Sequence, residues 1–140
     1  MRSFFVIPIL ALLSSCSFFD ANDTSKIELD RSWEIEQFFS TDDKQITLNE
    51  DEPLTIRFSS ENELSGEADC NVFGGEYRAK ENGDLAIKYL VATEIACEEP
   101  TLGYEYLEAL SEVTDFERKN GQLMLFYGEN GSLIFLERLE

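Results

Sequence analysis

Apolar and polar positions alternate through most of the chain after residue 31, and helical spacing replaces that alternation only once. From Ser32 to Phe38, Trp33, Ile35 and Gln37 fall on one face and Glu34 and Glu36 on the other, the period of a half-buried strand with Trp33 in the core. Thr41 to Pro53 is polar, carries the run Asn49, Glu50, Asp51 and Glu52, and offers only Ile46 to Leu48 as a short strand. Leu54, Ile56 and Phe58 then alternate with Thr55 and Arg57, a clearer strand signature. After a turn at Ser59 to Asn62, Glu63 to Asp69 reads as the returning strand, with Gly66 at a bend or bulge. Cys70 to Tyr77, Asp84 to Tyr89 and Val91 to Cys97 follow as strands, and Asp115 to Arg118, Leu123 to Tyr127 and Leu133 to outward-facing Glu137 close the chain.

Three Asn-Gly pairs, Asn82-Gly83, Asn120-Gly121 and Asn130-Gly131, each lie between apolar segments and predict tight hairpins, because both residue types accept positive φ. The helical spacing runs from Pro100 to Val113, where Leu102, Tyr106, Leu107, Leu110 and Val113 form one stripe. Glu98 and Glu99 suit the positive end of that helix, and Pro100 or Thr101 opens it. The expected fold is mainly β, a small antiparallel, barrel-like meander with one packed helix, with α+β as the alternative.

The N-terminus is of another kind. Met1 and Arg2 give a short positive start, Phe4 to Leu13 is apolar apart from Pro8, and Ser14 and Ser15 lead to Cys16. That is the layout of a secretory signal. As a helix, ten residues would cover about 15 Å of a roughly 30 Å hydrocarbon core, too little to span it. Leu13 to Cys16 resembles the bacterial lipobox, in which the thiol takes a diacylglycerol and becomes the mature N-terminus; the alternative is an ordinary signal with an incidental Cys16. Two or three acyl chains on one residue would anchor durably, since each buried methylene contributes roughly 0.8 kcal/mol. Residues 1–15 are thus expected to be a signal peptide, 16–30 the lipidated cysteine and a flexible tether, and 31–140 the domain. The tether would hold the domain on the order of 20 Å from the membrane, with Phe18 and Phe19 near the interface. Ser17 after the cysteine resembles the sorting pattern for an outer membrane, facing the periplasm.

Charge narrows the partners. The formal charge is −18, from eleven basic and twenty-nine acidic residues. Nucleic acid and anionic lipid surfaces are poor partners for such a field, whereas a basic protein, a cationic peptide or a metal ion would be attracted. A simpler reading is a solubilising coat. With Cys16 lipidated, Cys70 and Cys97 remain as a single pair in a disulfide-permissive compartment, and a bond between them would add about 3.5 kcal/mol on the chain-entropy model. Two separate buried thiols are the alternative.

Cys70, Asn71, Phe73, Gly75 and Tyr77 spell C-N-x-F-x-G-x-Y, and Thr93, Ala96 and Cys97 spell T-x-x-A-C. Together these resemble the META domain (HslJ-like) family over roughly residues 31 to 138. Asp69 stands where a glycine often precedes the Cys-Asn pair. The resemblance implies a small β-rich, barrel-like domain with one helix, and a family associated with heat-shock induction, envelope stress and novobiocin resistance, without an established enzymatic activity. Read physically, the motif is structural: Gly74 and Gly75 permit tight curvature, Phe73 and Tyr77 bury rings, and Asn71 satisfies turn amides. A binding pocket is the sharper reading.

The chain has no histidine, which removes Ser-His-Asp and Cys-His catalysis and the usual zinc centres. No spacing singles out a carboxylate pair for glycosidase chemistry. From Asp69 the twelfth position of a calcium loop is Lys80 rather than Glu, so that match fails, and Glu50, Asp51 and Glu52 are the remaining calcium reading. No catalytic residue and no cofactor is expected. The leading expectation is a non-catalytic envelope lipoprotein, held to the membrane through Cys16, that binds an envelope partner under stress. Its alternatives are an acidic inhibitor of a basic lysozyme or protease, and a carrier with a small molecule in the barrel.

Overall fold

The computed structural model describes residues 26–139. The expected signal peptide, Cys16 and the tether up to residue 25 lie outside the described residues. Nine strands and one helix follow: β1 (Ser32–Phe39), β2 (Gln45–Ile46), β3 (Thr55–Phe58), β4 (Glu63–Ala68), β5 (Asn71–Ala79), β6 (Leu85–Ala92), α1 (Gly103–Ser111), β7 (Val113–Lys119), β8 (Gln122–Tyr127) and β9 (Gly131–Glu137). The fold is mainly β, a curled antiparallel half-barrel with a single helix.

Strand order is β6-β5-β4-β3-β1-β9-β8-β7, with β2 paired to β1. The sheet is therefore two meanders, β3 to β6 and β7 to β9, joined by the first strand. β1 pairs β3 on one side and β9 on the other, so the two ends of the domain are zipped together. The outermost strands meet at one corner, where the Phe116 amide donates to Gly83 O at 2.8 Å and Asp84 bridges Asp115.

Curvature comes from three bulges, each giving one strand an extra residue. On β1 the register with β9 shifts between Ile35 and Gln37. The single alternation read from Trp33 to Gln37 therefore breaks at Glu36, and the inward phase resumes at buried Phe38 rather than at Gln37. On β6, Tyr89 and Leu90 stand opposite Gly75 alone, with Tyr89 at φ 55. The two strands expected at 84–89 and 91–97 are thus one bulged strand ending at Ala92, and 93–102 is an irregular connection. The third bulge lies at Thr114 on β7. Gly66 is not a bulge. It sits in register opposite Phe73, and a Cβ there would lie 2.7 Å from the Phe73 ring and 2.1 Å from Thr55 O.

The hairpins refine the Asn-Gly reading. Only Asn120-Gly121 is a two-residue turn with both φ positive, at 52 and 77. At Asn82-Gly83 the glycine alone is left-handed, closing a three-residue loop in which the Lys80 amide donates to Asp84 O. Asp43 and Asn62 occupy the same position in the loops closed by Ser40–Lys44 and Ser59–Glu63. At the third pair the positive φ belongs to Gly128, and Gly131 already pairs Tyr127 as the start of β9.

The inward faces bury Trp33, Phe38, Ile56, Phe58, Leu123, Leu125, Leu133 and Phe135 almost completely. α1 is shorter than the 100–113 span expected, and Val113 begins β7 instead of ending the stripe. Tyr106, Ala109 and Leu110 point from α1 into the core. Ile27 also joins the core, and the Asp30 amide donates to Phe58 O. Ile27 to Asp30, inside the stretch expected to be tether, are thus part of the folded unit.

Candidate functional site

Antiparallel turns alternate between two ends. α1 begins beside the β4–β5 turn and ends where Val113 pairs Tyr127, so it crosses one open end of the half-barrel. The chain enters at the other end, where Glu28 pairs with Arg118 and Arg31, and Arg31 also with Glu137. Cys70, Asn71, Phe73, Thr93, Ala96 and Cys97 gather at the helix end, whereas Tyr77 lies toward the other, where its hydroxyl donates to Ser59 O at 2.6 Å.

Cys70 and Cys97 are joined by a disulfide across 5.6 Å between Cα atoms. Beside it, Asn71 acts as a side-chain extension of the sheet ladder. Its Oδ1 accepts from the Ile95 amide at 2.7 Å and from Thr93 Oγ1 at 2.8 Å, while its Nδ2 donates to Ile95 O at 3.0 Å. Thr93 Oγ1 in turn accepts from the Val72 amide at 3.1 Å. Asn71, Thr93 and the disulfide therefore pin the connection after β6 onto the start of β5. Phe73 packs edge-on against Tyr106, with centroids 5.9 Å apart, and Tyr77 against Phe58 at 4.9 Å. Gly75 faces the β6 bulge, where a Cβ would meet Lys88 O at 3.0 Å. Ala96 is exposed on the connection.

Asp69 was legible as a departure from the family pattern and as the start of a calcium loop that fails at Lys80, and the structure gives it another role. It sits at φ 56, a conformation glycine adopts freely and Asp tolerates. Its buried Oδ2 accepts from the amides of Leu102 at 2.9 Å and Gly103 at 2.5 Å. Leu102, the N-cap, makes no side-chain cap bond of its own, so α1 is capped by a carboxylate thirty-three residues upstream. Asp69 Oδ1 is buried without a partner. Gly103 is needed for this approach, since a Cβ there would lie 2.8 Å from Oδ2 and 3.0 Å from Ala68 O.

Between the pinned connection and the start of α1 lies a groove of about 470 Å³. Asp69 and Asn71 form its floor, Thr93 to Cys97 one wall, and Thr101, Gly103, Tyr104 and Leu107 the other. Ile95 and Tyr104, both lining it, are 60% and 77% exposed. Val72 and Val91 are exposed on the adjoining outer face of β5 and β6, where Val91 lies opposite Gly74. No Lys or Arg occurs between Lys88 and Arg118, while Glu94, Glu98, Glu99, Glu105, Glu108 and Glu112 all do. A second hollow of about 460 Å³, toward the other end, is lined by Glu63, Glu76, Arg78, Lys88 and Tyr89. Its cross-strand row Glu63, Glu76, Lys88 mixes both signs of charge. Among the described residues no group of three or more His, Cys, Asp and Glu is placed to hold a metal ion, so the Glu50, Asp51, Glu52 reading gains no geometry. No helix among them is long and apolar enough to cross a membrane.

A half-barrel of two meanders around an N-terminal strand, plugged by one helix and tied by C-N and T-x-x-A-C segments, defines a class of small β-domain. The META domain family model matches residues 25–140, and the chain belongs to that family. An NMR structure of a protein from Burkholderia xenovorans is similar at a TM-score of 0.70 and 23% identity, covering 80% of this chain and 84% of that one. A second NMR structure is similar at 0.56 and 26%, over 76% of this chain and 87% of the other. A DUF4847 family protein from Bacteroides vulgatus shares the fold at 0.58 and 14%, over 79% and 94%. No curated protein matches the chain.

Proposed function

We propose that the protein is a non-catalytic lipoprotein of the bacterial envelope, anchored through lipid on Cys16 and facing the periplasm from the outer membrane. Its META domain binds a partner during envelope stress or antibiotic exposure. The observation carrying this reading is the layout of the two ends. The chain enters the domain at Ile27 to Arg31, and the groove with exposed Ile95 and Tyr104 lies at the other end. A membrane anchor on the N-terminal side would leave that groove free.

Two measurements test it. Cys16→Ala should move the protein from the membrane to the soluble fraction, and crosslinked envelopes from cells carrying the anchored form should yield a captured protein absent from the Cys16→Ala control. A wild-type protein that stays soluble, or a purified domain with hydrolytic activity, would overturn the proposal. The acidity of the helix end favours a second reading, inhibition of a basic lysozyme or protease. That reading requires loss of enzyme activity at low ionic strength that returns with added salt.

A further inference from the structure

We infer that the groove between the Thr93–Cys97 connection and the start of α1 docks a basic protein segment, with an aliphatic or aromatic anchor flanked by Lys or Arg. The inference rests on the binding role proposed above and names the class of partner.

Three independent features converge on that occupant. The first is the helix start. Amides at a helix N-terminus ordinarily favour an anion, but here Asp69 Oδ2 already holds two of them from inside the domain, and Glu99 Oε2 accepts from the Thr101 amide at 3.1 Å. An incoming anion would find these donors engaged and would face Glu94 and Glu99, which line the groove, with Glu98 beside them in a stretch that carries no Lys or Arg. The second is apolar exposure. Ile95 and Tyr104 stand on opposite walls, and Tyr104 falls outside the buried stripe of α1 although the core accepts the neighbouring Tyr106 completely. Apolar side chains exposed within a groove that carries polar and charged residues are the pattern of an interaction site. The third is rigidity. The disulfide and the four hydrogen bonds of Asn71 and Thr93 fix the connection, so little ordering cost would fall on this side when a segment binds. Complementary charge selects the partner: a purely apolar segment would leave the glutamates unanswered, and an acidic one would be repelled.

The test uses the purified full-length protein and three short synthetic peptides, titrated by fluorescence or NMR. One alternates Lys with Leu and Phe, one replaces Lys by Glu, and one replaces Leu and Phe by Ser. The first is expected to bind saturably and the other two at least about tenfold more weakly. Ile95→Ser with Tyr104→Ser, and separately Glu94→Gln with Glu98→Gln, should each weaken the first peptide about five- to tenfold, the glutamine pair also flattening its salt dependence. These positions are exposed, and an unchanged thermal midpoint will show that the variants fold. Glu63→Gln with Glu76→Gln, in the other hollow, should leave binding unchanged. The inference is overturned if the Ser-substituted peptide binds equally well, or if only the Glu63 and Glu76 variants weaken binding. Failure here together with envelope capture of a partner would reject the groove and keep the binding lipoprotein. Groove binding with no partner captured would do the reverse.

Discussion

The two ends of the half-barrel are built by different means. At the end where the chain enters, charges answer one another: Arg31 with Glu28 and Glu137, and Arg118 with Glu28 and with the face of Trp33 at 5.1 Å. At the helix end the joints are a disulfide, the amide of Asn71, the hydroxyl of Thr93 and the carboxylate of Asp69, and the chain from Tyr89 to Glu117 carries no Lys or Arg. A disulfide, neutral side chains and one buried carboxylate hold the helix end together, while Glu94, Glu98 and Glu105 are exposed to solvent or a partner. The contrast teaches that acidity here is local, and that the net charge of −18 understates the field at one end while overstating it at the other.

The sharpest way to break this comparison is to remove what plugs the helix end. Tyr106 is fully buried, its hydroxyl donates to Thr55 O at 2.9 Å, and its ring touches Phe73 and Phe135. Tyr106→Ala should cost about 3–5 kcal/mol in denaturant unfolding. Tyr106→Phe keeps the ring but leaves a buried carbonyl unpaired, at about 1–2 kcal/mol. If the alanine variant lost less than the phenylalanine range, the helix would not be the plug described.

Removing the covalent joint comes next. Cys70→Ala with Cys97→Ala opens a loop closed across a sequence separation of 27, with an expected loss of about 3.5 kcal/mol on the chain-entropy model. Hydrogen exchange should rise at 93–102 while the β7–β9 meander stays protected. Uniform loss of protection would mean that the connection is not a separate unit.

The strands and the helix were legible because their faces repeat. The bulges were not, since each inserts one residue whose identity carries no signal: Glu36, Tyr89 and Thr114 look like ordinary strand residues. The place of β1 between β3 and β9 also lies beyond local pattern, because it depends on pairings 93 to 104 residues apart. In the site, the cysteines and the family motif were readable, whereas Tyr104, absent from the helical stripe, was not singled out. Asp69 as a cap was not, because capping signals are sought within a few residues of a helix start, and this one arrives from a distant turn.

Asp69→Gly sharpens that point. Glycine suits the left-handed backbone at this position, so a turn-only role predicts a neutral or slightly stabilising change. Loss of the cap predicts about 1–2 kcal/mol of destabilisation, read as a fall in thermal midpoint. Asp69→Asn, which keeps one carbonyl acceptor, should lie between glycine and wild type.

Alkaline pH acts on both ends together. Burial raises the Tyr77 and Tyr127 phenols above their usual value, with Asp30 and Glu112 adding smaller repulsions, and burial raises Tyr106 well above it. In the unfolded chain these groups deprotonate near pH 10. The folded state then holds more protons than the unfolded, so stability should be full below about pH 10 and fall as pH rises through the folded values. Unfolding midpoints across that range will check the sign.

Salt should produce the smallest effect, and its sign separates the two ends. Screening weakens the exposed pairs of Arg31 with Glu28 and Glu137, which contribute little in water. It also relieves repulsion among Glu94, Glu98, Glu105 and Glu108, which lie in a stretch without Lys or Arg. With twenty-nine acids against eleven bases the second term should win, so the midpoint should rise modestly from low to physiological ionic strength. Arg31→Gln removes the opposing term and should steepen the rise, whereas Glu94→Gln with Glu98→Gln should flatten it. A midpoint that falls with salt in the wild type would mean that the ion pairs of the entry end outweigh the helix end, and the asymmetry of charge would lose its energetic meaning.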